Sequence, residues 1–111
     1  MELSRHEDIE KDFRKLKKFP AAESSLEAWE KLFALKGLSE TPAIDAYPGF
    51  GKYKVYKGRV VPLREKVGKS KGYRVIFQLL DNAYFCILVF SRHGVYKTEQ
   101  ELMELIKARL M

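Results

Sequence analysis

Several residue types are scarce in this 111-residue chain, and each scarcity excludes a class of site. The single cysteine, Cys86, has no partner for a disulfide within the chain. It falls inside an apolar run, so we expect a buried, unreactive thiol. The two histidines, His6 and His93, lie far apart in the sequence, and no CxxC or HExxH spacing is present. The sequence therefore predicts no metal and no cofactor.

Long apolar segments are also missing. The most hydrophobic stretch, from Val75 to Phe90, is interrupted by Gln78, Asp81 and Asn82, which argues against a membrane span. The first residues, MELSRHEDIEKDF, are charged and lack the apolar core of a signal peptide. With 46% hydrophobic residues, the chain suits one compact domain over residues 1–111. We expect a cytoplasmic protein without membrane contact.

Acidic side chains are nearly absent from one segment. Between Lys52 and Arg74 there are nine lysines and arginines and one acid, Glu65, whereas the rest of the chain has twelve basic and fourteen acidic residues. The net charge of +6 therefore arises in this segment. Such a distribution is typical of proteins that bind nucleic acid or an acidic protein tail. The RNA contacts predicted on this basis are Lys52, Lys54, Lys57, Arg64, Lys66, Lys69 and Lys71, with Lys97 further along the chain.

The N-terminal third predicts two amphipathic helices. Apolar residues recur at helical spacing over residues 7–18, and again over residues 25–36. Ser24 and Glu27 have the spacing of a capping box at the start of the second helix, and Gly37 supplies its end. Because the connection is short, we expect an antiparallel helical hairpin that packs on a sheet.

The remaining sequence predicts strands followed by a helix. Tyr73–Leu80 and Tyr84–Phe90 are apolar runs joined by a turn signal, and they predict a hairpin of buried strands. Residues 53–63 alternate apolar and basic side chains, which fits a first hairpin or a bent strand, whereas residues 37–51 are typical of a loop. Thr98 begins a final helix. The predicted fold is α+β, with a three- to four-stranded antiparallel sheet between the hairpin and the C-terminal helix.

Titratable side chains collect where the last predicted strand ends. Arg92, His93 and Tyr96 follow that strand, and Arg74 interrupts the apolar strand before it. Cleavage of a phosphodiester by the ribose 2′-hydroxyl needs a base, an acid and cations, which histidine and arginine can provide. Tyr96 could stack a base or relay a proton. The plain alternative is a solvated strand end, and an acyl-transfer pair of Ser91 with His93 is weaker because no nucleophile elbow is present.

The order of motifs between Val61 and Leu110 resembles the RelE/ParE superfamily of toxins from bacterial and archaeal toxin–antitoxin pairs. The motifs are PLR, then GYRVIFQLLDNAYFCILVFSR, then VYKTEQELMELIK, and they span about half of the chain. The resemblance implies a RelE-like fold and metal-free cleavage of mRNA in the ribosomal A site. It also implies a cognate antitoxin as partner.

Individual roles follow from the resemblance position by position. Arg74 matches the strand arginine that contacts phosphate, and Arg64 matches the arginine that ends the preceding strand. Arg92 matches the arginine after the last strand, and Tyr96 the tyrosine before the last helix. His93 has counterparts in branches that use a histidine near this point. The implied catalytic residues are therefore Arg74, Arg92, His93 and Tyr96.

Two features depart from the family pattern. The two lysines of the strand before Arg64 correspond here to Val60 and Pro62, and the N-terminal strand corresponds to residues 1–5, which have weak strand character. The same scaffold carries the gyrase-directed ParE branch. A non-catalytic module that binds RNA or protein through the basic segment is the alternative of a different class.

Overall fold

The computed structural model of the protein describes residues 2–65, 72–81 and 83–111. Five strands form one mixed sheet in the order β1-β5-β4-β3-β2, in which β1 runs parallel to β5 and the other neighbours are antiparallel. Two apolar clusters, one on each face, place α1 and α2 on one side of the sheet and α3 on the other. The α+β class is thus confirmed. In chain order the elements are β1 (Glu2–Arg5), α1 (Ile9–Lys15), α2 (Ala22–Glu40), β2 (Ile44–Ala46), β3 (Lys54–Val60), β4 (Tyr73–Asp81), β5 (Tyr84–Arg92) and α3 (Glu99–Arg109).

The sheet is larger than the sequence predicted. The hairpin of β4 and β5 is present, but residues 53–63 contain the single strand β3 with Gly58 inside it. A Cβ at Gly58 would lie 3.1 Å from Val75 and 3.4 Å from Trp29, so the bare glycine lets the indole approach the strand. The short strands β1 and β2 were missed. They have three or four residues, so no periodicity marks them; β1 forms by pairing with the distant strand β5, and β2 by pairing with the next strand, β3.

The helices on the first face begin and end at other residues than expected. Ala21, with φ of 55°, precedes α2, so the helix starts before Ser24 and the predicted capping box does not form. Gly37, with φ of 76°, breaks the helical geometry of α2, as its place in the sequence indicated. Helix α1 packs on β5 and α2 on β1 and β3. Between α2 and the sheet, Phe33 stacks on Trp29 with ring centroids 5.0 Å apart and is fully buried.

On the second face of the sheet, α3 packs on apolar side chains of β3, β4 and β5. The Thr98 hydroxyl accepts a hydrogen bond from the Glu101 N–H at 3.0 Å, so the predicted cap is confirmed. Leu102 and Ile106 of α3 are buried against the strands. Cys86 is buried in the same cluster, and burial raises the pKa of its thiol. We infer from this that the thiol is unreactive.

The strand β1 pairs with β5 only as far as Ile87, and a buried ion pair bonds the free backbone groups of β5 after that point. The Asp12 carboxylate from α1 accepts a hydrogen bond from the Phe90 N–H at 2.9 Å. The Arg109 guanidinium from α3 donates to the Leu88 carbonyl at 2.8 Å, and to both Asp12 oxygens at 2.8 and 3.0 Å. These side chains take the place of a neighbouring strand. They fix the end of β5, where the candidate site begins.

Candidate functional site

A pocket of about 280 Å³ lies where β4 and β5 meet the start of α3. It is lined by all four residues predicted to be catalytic, together with Lys97 and part of the α3 N-terminus. The structure therefore brings Arg74, His93 and Tyr96 to one place, although they come from two separate stretches of sequence. The full lining is Arg74, Ser91, Arg92, His93, Gly94, Tyr96, Lys97, Thr98, Glu99 and Leu102.

Strand alternation and one turn position these side chains. Arg74 and its partner Ser91 in β5 lie on the sheet face that α3 covers only in part. His93, which is exposed, and Gly94 follow β5 directly. Gly94 has φ of 90°, a conformation that favours glycine, and it turns the chain towards α3. The pocket is thus built from two paired strands, the turn at Gly94 and the start of α3.

A row of cations extends from the pocket across the sheet. Arg59 in β3 lies directly opposite Arg74, and Lys57 lies two residues from Arg59 on the same face. A small second pocket is lined by these three residues with Asp45, so Arg74 belongs to both pockets. We call Lys57, Arg59 and Arg74 the basic row. Like charges on directly opposite strand positions are unfavourable by themselves. Within the described residues none of the three forms an ion pair, which leaves them available for an anionic ligand.

The Arg92 guanidinium lies on the other face of the sheet. Arg92 pairs with Tyr73 in register, and its guanidinium carbon is 4.2 Å from the Phe19 ring centroid and 4.9 Å from that of Tyr73. Both terminal nitrogens donate to Glu65, at 2.6 and 2.8 Å. These bonds lower the pKa of the Glu65 carboxyl. Arg92 therefore lines the pocket but does not add its charge to the basic row. Its bonds to Glu65 hold the turn at residues 63–64 against the sheet.

Tyr96 presents its ring to the pocket and hides its hydroxyl. The hydroxyl oxygen is buried and has no hydrogen-bond partner among the residues described. Burial, with the nearby Asp12 carboxylate, raises the pKa of Tyr96 to about 12. The Lys15 ammonium lies 4.8 Å from the ring centroid. In this arrangement the ring can contact a base, but the hydroxyl is not placed to exchange a proton with a ligand.

Sequence reasoning missed the carboxylate of Glu99, which lines the pocket at the start of α3. The Tyr47 hydroxyl donates a hydrogen bond to this carboxylate from 52 positions earlier in the chain. Burial and the bond to Glu99 raise the pKa of Tyr47, whereas the Arg74 charge lowers it. The Lys57 ammonium lies 5.2 Å from the Tyr47 ring centroid. Tyr47 thus connects the Glu99 carboxylate to the basic row.

The structure leaves two of the predicted RNA-binding lysines away from the pocket. Lys54 pairs with Leu79 at the opposite end of β3 from Arg59, a separation of roughly 17 Å along the strand. Lys52 precedes β3 and lies against the Tyr53 ring. Arg64 is exposed in the turn before Glu65, and Lys97 is exposed in the pocket lining. The predicted contacts Lys66, Lys69 and Lys71 lie outside the described residues.

Comparisons with protein-family models, with curated proteins and with solved structures gave no match. In the described ranges, no helix is long and apolar enough to cross a membrane. The same residues contain no group of three or more metal-ligating side chains. At this end of the sheet the basic row and Lys97 supply positive charge, and His93 and Glu99 add an imidazole and a carboxylate to the pocket lining.

Proposed function

We propose that this protein is the toxin of a type II toxin–antitoxin system and cleaves mRNA on the ribosome by attack of the ribose 2′-hydroxyl. The observation that carries the proposal is the shared pocket of Arg74, His93 and Lys97, continuous with Lys57 and Arg59 through Arg74. A histidine beside cations that lack carboxylate partners suits a phosphodiester. The motif order that resembles RelE toxins favours the same chemistry.

The placement of β3 supports the proposal where the sequence departed from the family pattern. Val60, at one of the family's lysine positions, is buried against the α1–α2 side of the sheet. Lys57 and Arg59 of the same strand lie on the pocket side instead. The strand before Arg64 therefore supplies two cations to the pocket side, Lys57 and Arg59, although Val60 is not a lysine. We infer a RelE-like arrangement in which these two residues bind phosphate.

A surface next to the basic row suits the antitoxin. A cleft of about 180 Å³ is lined by Trp29 and mainly other apolar residues, with Arg59 at its border. Val61 and Leu63 on its rim are 45% and 56% exposed. An acidic amphipathic segment would cover this apolar surface and the basic row together, because Arg59 belongs to both.

Cleavage in a purified translation system tests the proposal. Wild-type protein, Arg74→Ala and His93→Ala would be added to ribosomes that translate a defined mRNA, and new RNA ends would be mapped by primer extension. Loss of a general acid or base typically lowers a rate by about 10²–10⁴-fold. We expect a decrease of that size for His93→Ala and a comparable one for Arg74→Ala. Lys31→Ala, which removes an exposed cation on α2 outside the pocket, should cleave like the wild type.

The results separate this proposal from its alternatives. The second candidate is a module that binds RNA without cleaving it. Two observations favour it: the Arg92 guanidinium is bonded to Glu65, and the Tyr96 hydroxyl is buried, so neither group is placed to act on a bound phosphodiester. That module would leave the mRNA intact and would inhibit translation only in stoichiometric amounts. A gyrase-directed toxin would instead produce double-strand DNA breaks with intact transcripts. Equal cleavage by His93→Ala and wild type would refute the assignment of the pocket.

A further inference from the structure

We propose that the C-terminal end of α1 is a second RNA-binding surface, which holds the mRNA strand where it leaves the pocket. The surface, which we call the α1 patch, consists of four exposed cations at the end of the helix and directly after it: Arg14, Lys15, Lys17 and Lys18. None of the RNA contacts predicted from the sequence belongs to it. The inference rests on the proposed cleavage of mRNA, which supplies the ligand.

The charges of α1 are separated along the chain. Its acids precede the patch, and residues 13–20 contain none. The Asp12 carboxylate is buried and bonded to Arg109, and the Asp8 carboxylate lies 3.3 Å from the Lys11 ammonium. Within the described residues no member of the α1 patch forms an ion pair. Four neighbouring cations repel one another, and a bound polyanion would remove that repulsion.

Aromatic rings connect the α1 patch to the pocket. The Lys15 ammonium lies 4.8 Å from the ring centroid of Tyr96, which lines the pocket. The Lys18 ammonium lies 5.3 Å from the Phe19 ring centroid, and the same ring contacts the guanidinium of Arg92, another residue of the lining. Sites for single-stranded nucleic acid combine cations that bind phosphates with aromatic rings on which bases stack. Both components are present where the α1 patch meets the pocket.

The α1 patch extends the positive surface in the direction away from the basic row. The basic row runs from β4 to β3, whereas α1 packs on β5. The pocket, at the ends of β4 and β5, lies between them in the order of the sheet. An mRNA strand with its scissile phosphate in the pocket would therefore contact the basic row on one side of that phosphate and the α1 patch on the other.

The salt dependence of RNA binding tests the α1 patch separately from cleavage. The probe is a fluorescein-labelled single-stranded RNA of about 12 nucleotides, and its binding is followed by fluorescence anisotropy. Its riboses carry 2′-O-methyl groups, so it cannot be cleaved by 2′-hydroxyl attack. Each cation that contacts a phosphate contributes about 0.7 to the slope of the logarithm of the binding constant against the logarithm of the salt concentration. Replacement of all four residues of the patch by glutamine should reduce this slope by about 2–3.

Two pairs of variants separate contacts made by the patch from a general effect of charge. Lys15→Gln/Lys18→Gln removes the two cations that lie on aromatic rings and should reduce the slope by about 1–1.4. Lys31→Gln/Lys36→Gln removes two exposed cations from α2 and should leave the slope unchanged. Lys15→Arg/Lys18→Arg keeps both charges and should bind the probe with the wild-type slope.

The outcomes distinguish the α1 patch from the proposed function. An unchanged slope after replacement of all four cations would overturn the patch and leave the cleavage proposal standing. An unchanged slope together with weaker binding to ribosomes that carry no mRNA would also overturn it, because the cations would then contact ribosomal RNA. A reduced slope in a protein that cleaves no mRNA would support the patch as an RNA-binding surface and refute the proposed function.

Discussion

Removal of the Asp12 carboxylate should destabilise the fold more than any change of an exposed pocket residue. In Asp12→Ala the buried Arg109 charge loses its partner, and breaking a buried ion pair in this way costs about 3–5 kcal/mol. The Phe90 N–H also loses its acceptor, which adds about 1–3 kcal/mol. Because the two penalties overlap, we expect a loss of about 4–6 kcal/mol in the free energy of unfolding. That is a large part of the ~5–15 kcal/mol typical of a domain.

Urea unfolding followed by the fluorescence of Trp29, the single tryptophan, measures this loss. The double variant Asp12→Ala/Arg109→Met removes both charges, so it should be more stable than Asp12→Ala alone. Glu10→Ala, an exposed acid on the same helix, should change the free energy of unfolding by less than about 0.5 kcal/mol. A cost below about 1 kcal/mol for Asp12→Ala, or additive losses in the double variant, would refute the reasoning.

Three further outcomes are expected. Glu65→Gln should destabilise the protein at pH 7. Its difference from wild type should shrink as the pH falls towards the lowered pKa of Glu65, because the native carboxylate then loses its charge as well. Equal stability of variant and wild type at pH 7 would contradict the ion pair with Arg92. Gly72→Ala should lower the melting temperature because its Cβ would lie 2.4 Å from the Val60 carbonyl oxygen, whereas an unchanged melting temperature would show that the backbones separate easily. Cys86 should react with a thiol reagent only at the rate of unfolding, so rapid modification of the native protein would show that the strand is accessible.

The features that sequence predicted are those set by local signals. Thr98 and Glu101 form a cap from residues three positions apart, and Gly37 interrupts a helix through its own backbone freedom. The hairpin of β4 and β5 follows from two adjacent apolar runs. In contrast, β1 depends on β5 near the other end of the chain and β2 on the following strand β3, and no pattern within three or four residues indicates such pairing.

The sequence predicted where the site lies, but it did not predict all of the residues that form it. Arg74 and His93 meet because one lies in a strand and the other follows its partner strand, which the order of the motifs indicated. Arg92 is one position from Ser91, and a single step along a strand places a side chain on the opposite face. Arg59 was overlooked because the sequence left open whether its segment was one strand or a hairpin. The bond between Tyr47 and Glu99 has no local sequence signal.

The central claim is that the pocket directs attack by a ribose 2′-hydroxyl, and one substrate tests it directly. A ribosome-bound mRNA would carry a single 2′-deoxynucleotide on the 5′ side of the bond that the wild-type protein cleaves. We expect no cleavage at that bond, and normal cleavage when the deoxynucleotide is moved one position in the 3′ direction. Cleavage at the original bond without the 2′-hydroxyl would contradict the account.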